Sequence, residues 1–584
     1  MKKDLSYDAE FNKPFLFIGF ILLFVFPQLN NVHYDPQPQF WAEMTAAWIA
    51  IGIFTFIIIR FDKITIPFSI IPLSLFAIYL TLQPSVMQHI DFIGLNYVAA
   101  LEMVIGILLA ISVNTIRNTY GMKYLVTVLA YALVTGAILQ SIIGIIQYTG
   151  SAKLFGDMIF YDSSHPTTNI FGHFGQRNHY AHYLTWGTLG LIYLFQQQRI
   201  NYKMFYPLLV WLCFSLTISA SRSVLIYFPL ASIISVIAYL TNRNKQTKQL
   251  MLLIIIATAA LFTIEYMLPI INKLFAAHNS STSGLSRLSS NGGNETGRRS
   301  IEWQKAWIVF KDHPLLGVGW NGFAKQSVLL YPLFPNAELN SGLFTNCHNL
   351  ILQLLAETGL VGTLIVVIGL IGAVLRQTIK NLNSETIIIL CMLGTTLAHS
   401  MNEYPLWYVY FLVGLVTFIS LDKPLVTLST KFITLVSIIP LAYLVYLMIR
   451  GSMIFDTLVD YYDTPDDQKT YNTQAHYLEK LVNNNALWSY YSLYTLDNYI
   501  NVDDEMTDDL MSIQQQYYYT NKLATFHPYP DTMLKQAMLD FNLGNESAAE
   551  SLVKLDVLAF PVYKASFRDS LKDPYYHKLY ALTK

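Results

Sequence analysis

Residues 122–147 read M-K-Y-L-V-T-V-L-A-Y-A-L-V-T-G-A-I-L-Q-S-I-I-G-I-I-Q, with a single charge, Lys123, at the leading end. A helix needs about 20 mostly apolar residues to cross the hydrocarbon core of a bilayer. A run this long and this free of charge predicts a transmembrane helix. Outward from it, comparable runs recur near 14–29, 41–59, 64–82, 92–113, 179–195, 204–219, 223–240, 250–270, 350–375, 386–400, 405–421 and 432–449. The predicted fold is all-α: a polytopic helical bundle of 13 spans. The runs at 204–219 and 223–240 are the least clearly separate, since only a few residues divide them.

Composition points the same way. Of 584 residues, 53% are hydrophobic and 13% charged, against roughly 25% charged in soluble domains. That balance excludes a cytosolic enzyme, a disordered chain and a basic nucleic-acid binder, and a net charge of −1 gives no pull toward nucleic acid. Three cysteines, Cys213, Cys347 and Cys391, make neither a disulfide framework nor a four-thiolate zinc site. No D-x-D carboxylate pair and no H-E-x-x-H is found on the outer segments, so no metal and no other cofactor is expected.

Lys and Arg placement orients the bundle. Lys2, Lys3 and Lys13 precede the first run. Alternate connections then carry Arg60 and Lys63, Arg117 and Lys123, Arg199 and Lys203, Arg243 with Lys245 and Lys248, Arg376 and Lys380, and Lys423 and Lys431. The connections at 30–40, 83–91 and 401–404 carry none. The N-terminus is therefore predicted inside, and 13 spans place the C-terminal part outside. The first run lacks a small-residue cleavage site and reads as a retained helix.

Four regions follow: a membrane bundle over 1–270, a long external segment over 271–349, membrane helices over 350–449 and an external helical domain over 450–584. Residues 451–584 hold 19 acids and 10 bases, unlike the rest of the chain. In 278–297, 15 of 20 residues are Ser, Thr, Gly or Asn, which predicts a stretch unable to order itself. In 527–561 two amphipathic patterns flank a Gly-Asn turn, like one tetratricopeptide-type helix pair. Such a pair either recruits a partner protein or caps the external face. The run Asp503, Asp504, Glu505, Asp508 and Asp509 reads as a solvated helix face.

Polar residues at the membrane edge are the functional candidates. Gln176, Arg177 and Asn178, at the mouth of a span, form either a polar helix start with Asn178 near the cap or a set of donors for phosphate or sugar. Arg222, in the turn S-A-S-R-S, either snorkels to the interface or presents its fork to a phosphate. Trp303, Trp307 and Phe310 recur at helical spacing and predict an interfacial amphipathic helix that Arg298 and Arg299 open. His348 stands where the long segment re-enters the membrane, and its ordinary pKa near 6.5 suits a proton acceptor. Cys347 beside it points elsewhere, since neighbouring side chains diverge. In H-S-M-N-E-Y-P at 399–405, His399, Glu403 and Tyr404 either make a short polar turn or serve the site: a buried Glu orients a histidine and a Tyr hydroxyl binds phosphate or sugar. Phosphate-ready arginines, a base and a lipid-embedded scaffold suit a reaction on a lipid-linked pyrophosphate, a leaving group that needs charge neutralisation.

The block from Arg298 to Gly362, with R-R-S-I-E-W, H-P-L-L-G-V-G-W and C-H-N-L-I-L-Q-L-L-A-E-T-G-L-V-G, resembles the core shared by O-antigen ligases, O-antigen polymerases and bacterial O-oligosaccharyltransferases. H-Y-D-P-Q-P-Q-F-W-A-E at 33–43, G-Q-R-N at 175–178 and H-S-M-N-E-Y-P-L-W-Y at 399–408 resemble the PglL-type O-oligosaccharyltransferase branch. The resemblance implies transfer of a preassembled glycan from undecaprenyl pyrophosphate to Ser or Thr hydroxyls of pilins or other envelope proteins. It implies a periplasmic site on the bacterial inner membrane and no metal. It marks His348 as catalytic, Arg222 and Arg299 (with Arg298 as the other candidate) as pyrophosphate ligands, and Gln176 and Tyr404 as positioning residues. An O-antigen ligase acting on lipid A–core and a polymerase are the near alternatives. A polysaccharide transporter is the distant one, disfavoured because the candidates cluster at one face.

Overall fold

The computed structural model describes residues 5–88, 90–275, 282–290, 294–334, 342–378 and 382–584. All thirteen apolar runs fall on helices. They are α1 (Leu5–Val25), α2 (Phe40–Arg60), α3 (Ile70–Met87), α4 (Ile93–Tyr120), α5 (Met122–Tyr148), α6 (Arg177–Gln196), α7 (Tyr202–Ile218), α8 (Val224–Thr241) and α9 (Lys245–Phe275). After the long segment come α13 (Leu350–Thr378), α14 (Ser384–Ser400), α15 (Val409–Ile419) and α16 (Thr430–Asp460). Among the described residues nine helices are long and apolar enough to cross a membrane; α7 and α15 are apolar but shorter. The chain is a polytopic helical membrane protein. The close runs at 204–219 and 223–240 are two helices, parted by a turn in which Ala220 has φ +54°.

One run starts late. Residues 63–66 form a strand, β1 (Lys63–Ile66), antiparallel to β2 (Val426–Ser429) with Lys63 opposite Ser429. Pro67 follows, and the residue before a proline is turned away from the helical region. Arg376, whose Nε donates to Asp422 at 2.7 Å, belongs to this same end of the bundle.

Lipid is as apolar as a leucine face, so these helices associate by close packing rather than by expelling water. α6 is the centre of the bundle, with nearly every residue buried. At Gly187 a Cβ would sit 2.2 Å from the Ala137 Cβ, which is how α5 and α6 come so near. The polar residues of α6 and α14 turn into the bundle. His182 meets Thr396 at 3.2 Å, and His399 bonds the Tyr227 hydroxyl. His399 thus lies inside the bundle, not with Glu403 and Tyr404 as the sequence suggested.

The external segment carries α10 (Gly284–Ser290), α11 (Asn294–Asp312) and α12 (Phe323–Leu329). The stretch 278–297 is therefore not wholly without order. α10 is anchored by Leu285 N–H on Glu265 and by Arg287 on the Ala220 carbonyl, each at 3.1 Å. Residues 278–281 and 291–293 lie outside the described residues. α11 begins four residues before Arg298, so Arg298 and Arg299 do not open it. Its inward face is partly charged: Arg298, Glu302 and Lys305 are buried, with Trp303 packed beside Ala306 and Val309 and Trp307 exposed.

After α11 the chain docks into α13. Val318 and Gly319 donate to the carbonyls of Ala356 and Glu357 (2.9 and 3.1 Å), and Leu360 donates to Pro314 at 2.8 Å. That exchange is possible because α13 breaks at Gly359, φ +60°, where a Cβ would lie 2.3 Å from the Leu315 carbonyl carbon. The segments H-P-L-L-G-V-G-W and A-E-T-G-L-V-G are thus the two halves of one junction.

The tail is helical: α17 (Gln468–Asn484), α18 (Ser489–Leu496), α19 (Glu505–Leu510), α20 (Ile513–Ala524), α21 (Pro530–Asn542), α22 (Glu546–Ala559), α23 (Lys564–Ser570) and α24 (His577–Leu582). Phe92, just before α4, and Leu95 within it share a core with Leu478, Leu493 and Phe526. Val328 and Tyr331 share another with Met533, Ala537 and Val553 of the α21–α22 pair. The acidic run is solvated, with Asp503, Asp504, Glu505, Asp508 and Asp509 all exposed, and two of its members also serve the local structure. Asp504 caps α19, and Asp503 accepts from Asn542 (3.0 Å) and from the Tyr576 hydroxyl.

Candidate active site

Glu403 is the centre of the site. It follows α14, is buried, and gathers donors from three distant parts of the chain. Asn178 Nδ2 donates to its Oε1 at 2.7 Å, and Arg299 Nη2 donates to the same oxygen. His348 Nδ1 lies 3.4 Å from its Oε2. Burial pushes the carboxyl up from its ordinary range; Arg299, Asn178 and Gln176 pull it back.

Each partner is placed by local structure. Gln176, not Asn178, caps α6, its side chain accepting from His179 N–H at 3.0 Å. That leaves Asn178, in the first turn, free to bridge Glu403 and the Ser221 hydroxyl, which donates to Asn178 Oδ1 at 2.6 Å. Arg177 donates to Asn169 at 2.7 Å, and Asn169 in turn to Asp162 at 2.9 Å. His348 precedes α13 with φ +57°, its N–H on Asn346 Oδ1 at 2.8 Å. The Tyr404 ring stands edge-on to the imidazole, centroids 5.1 Å apart. Burial, and then the Arg299 charge, pull the imidazole down to about 3, so it is neutral at pH 7. With Nδ1–H directed at Glu403, Nε2 keeps its lone pair. Cys347 is buried against the Asn349 carbonyl at 3.5 Å, and burial pushes its thiol up, as suits an inert side chain.

Around this wall lies a cavity of about 380 Å3 lined by Arg177, Arg222, Arg287, Arg299, Gln176, Asn178, His348 and Glu403. The N-terminus of α6 contributes its first turn to the cavity, adding backbone dipole to four guanidinium groups. The arrangement suits an anion with several oxygens next to one neutral base. Among the described residues no group of three or more His, Cys, Asp or Glu side chains could hold a metal ion.

Of the sequence candidates, Arg222, Arg299, Gln176, Arg177, Asn178, His348 and Glu403 line this cavity. Tyr404 adjoins it through His348. Arg298 does not join them. It is buried beneath α11, donating to the Tyr331 hydroxyl at 2.6 Å and lying over the Phe344 ring. With Glu302 and Lys305 (3.1 Å apart) it forms a buried charged network that sets the face of α11 and so aims Arg299 outward. Burial pulls the Lys305 ammonium down to about 8. Arg287 is the residue the sequence reading missed, because it sits in the Ser/Gly/Asn-rich stretch. Its signal was being the only Lys or Arg within 278–297.

A second cavity of about 850 Å3 meets the first at Gly175 and Gln176 and runs down between the membrane helices.

Three protein-family models match the chain. An O-antigen ligase model covers residues 207–367, the C-terminal part of a virulence factor membrane-bound polymerase covers 387–572, and a protein glycosylation ligase model covers 170–195. Between them they contain Arg177, Arg222, Arg287, Arg299, His348 and Glu403. The chain is similar to a general O-oligosaccharyltransferase of Acinetobacter baylyi, 27% identical over 308 residues, 51% of each chain. It is also similar to a ComP-specific O-oligosaccharyltransferase of that organism, 26% identical over 242 residues, 41% of each. The alignments thus span about half the length of these curated relatives or less.

Proposed function

We propose that this chain, which carries the O-antigen ligase domain and resembles the PglL-type O-oligosaccharyltransferases, transfers a preassembled glycan from undecaprenyl pyrophosphate to Ser or Thr hydroxyls of a pilin or other envelope protein. The observation that carries the reading is the single cavity in which four arginines surround the His348–Glu403 pair.

The chemistry follows from the geometry. Arg222, Arg287, Arg299 and Arg177 hold the pyrophosphate oxygens. Nε2 of His348 accepts the proton of the acceptor hydroxyl as its oxygen forms a bond to the anomeric carbon. The bond from that carbon to the phosphate oxygen breaks, and its electron pair leaves with undecaprenyl pyrophosphate. Glu403 orients the imidazole and stabilises the imidazolium, the division of labour of a carboxylate–histidine pair. Gln176 and Tyr404 position donor or acceptor. Charge neutralisation in a partly buried site supplies most of the acceleration. No resident metal or organic cofactor enters this scheme.

The reaction belongs at the periplasmic face of the inner membrane, with the N-terminus cytoplasmic and the tail periplasmic across 13 spans. The site lies at one end of the bundle and the Arg376–Asp422 pair, beside the β1–β2 pairing, at the other. The same donor chemistry would serve an O-antigen ligase, whose model covers Arg222, Arg287, Arg299 and His348. The protein glycosylation ligase match over Gln176–Asn178 favours a protein acceptor.

The test is the intact mass of a pilin-type acceptor from cells with the chain, without it, and with His348→Ala. A glycan-sized mass that requires both the chain and His348 is the expected result. Full modification in the His348→Ala strain would sink the assignment of the base. Chain-dependent capping of lipopolysaccharide with an unmodified pilin would move the function to the ligase reading.

A further inference from the structure

The larger cavity has two kinds of wall. Deep between the helices it is aliphatic. Its outer part is aromatic and hydrogen-bonding, and comes from the bundle, the external segment and the tail together. Trp320 and Trp407 lie stacked there, centroids 5.7 Å apart and planes within 2° of parallel. Tyr490, Tyr494 and Tyr529 face it from the tail, with the Tyr490 hydroxyl 2.7 Å from His527 Nδ1 and 3.0 Å from the Tyr529 hydroxyl. On the bundle side Glu43 of α2 and Glu102 of α4 line the same space, and Gln37 Nε2 donates to Glu43 Oε2 at 3.1 Å.

Two carboxylates inside apolar helices are costly and have a use when retained. The transfer chemistry uses neither. Carboxyl groups that hydrogen-bond to hydroxyls, an amide that donates, phenols that donate and accept, and flat rings for C–H faces to pack on make one kind of surface. It complements a polyhydroxylated ring, apolar on its faces and polar at its rim. The cavity falls within the ~300–1,000 Å3 usual for ligand sites. It also meets the arginine cavity at Gly175 and Gln176, so it is next to any sugar attached to a pyrophosphate held there.

We propose that the outer part of this chamber is a glycan subsite, roofed by the tail, in which Glu43, Glu102, Trp407 and Tyr494 bind the sugars beyond the one that is transferred through its anomeric carbon. The inference rests on the donor reading above. It gives the tail a share in donor recognition, distinct from recruiting an acceptor.

The experiment uses the full chain in nanodiscs and two probes: undecaprenyl pyrophosphate without glycan, and the lipid-linked glycan extracted from cells that lack this chain. Dissociation constants are measured for the wild type, Glu102→Gln and Trp407→Ala. The conservative Glu102→Gln keeps the test meaningful if Trp407→Ala folds poorly. The expected result is about tenfold weaker binding of the glycan-bearing lipid, with binding of the bare lipid pyrophosphate unchanged. Equal loss for both probes, or no loss for either, overturns the subsite. So does unchanged donor binding with a raised KM for the acceptor pilin, which would give the chamber to the acceptor. A wild type that binds neither lipid overturns the donor reading itself.

Discussion

His348 combines a left-handed backbone, a partly buried imidazole and a carboxylate partner at 3.4 Å. A histidine tolerates that backbone better than most residues, yet such conformations still cost of order 1–3 kcal/mol. The bond from its N–H to Asn346 Oδ1 and that from Asn349 Nδ2 to the Met401 carbonyl hold it there. Its lowered pKa, about 3, has two causes: burial and the Arg299 charge. An anionic pyrophosphate on Arg299 offsets the second cause and raises the proton affinity of the imidazole when the donor is bound. The sign is therefore definite. The imidazole is neutral above its folded pKa, and the limb of activity lost on acidification lies at higher pH with donor bound than without. The acid limb of kcat should fall at higher pH than that of kcat/KM, since the first reports the complex and the second the free enzyme. Coincident limbs, followed on acidification past the free-enzyme value of about 3, would refute the coupling. At this scale the sequence was informative where chemistry is carried by residue type. His348, Arg222, Arg299, Gln176 and Glu403 could be named before the fold was seen. Glu43 and Glu102 were not singled out as ionisable residues within apolar runs, although that placement is itself a signal. Which of Arg298 and Arg299 faces the cavity depends on the register of α11 against Tyr331, and no linear spacing encodes that.

Among the elements, α11 and α13 carry the site because the loop between Pro314 and Gly319 is hydrogen-bonded into the break at Gly359. Gly359→Ala puts a methyl group 2.3 Å from Leu315 in a backbone that side chains avoid. The expected cost is about 1–3 kcal/mol, seen as a lower melting temperature in detergent. Transfer activity should fall as well, since His348 lies at the head of the same helix. An unchanged melting temperature would show that the junction yields without strain. Helix existence was legible from apolar runs of bilayer length, and all thirteen runs proved helical. Their ends were less so: the run read from 64 begins with a strand, whose partner lies more than 350 residues away. The order of α10 was hidden because Ser-rich composition says nothing of Glu265 and Ala220, the groups that anchor it.

For the molecule as a whole, the sequence divided bundle from tail by charge. It could not tell that Phe92 and Val328 would extend the tail's cores into the rest of the chain. The four arginines that converge on one cavity have a kinetic consequence. In the proposed transfer, breaking the glycosyl bond frees a terminal phosphate oxygen that ionises with a pKa of about 6. The spent lipid thus carries more negative charge than the donor it came from, and the cavity attracts it more strongly. Added undecaprenyl pyrophosphate should compete with the donor, with an inhibition constant that tightens between pH 5 and pH 8 and loosens in Arg287→Gln. An inhibition constant indifferent to both would show that these arginines do not hold the spent lipid. Where it is held, the proposed turnover is paced by the departure of the empty carrier, and the transfer keeps step with whatever withdraws that carrier from the membrane.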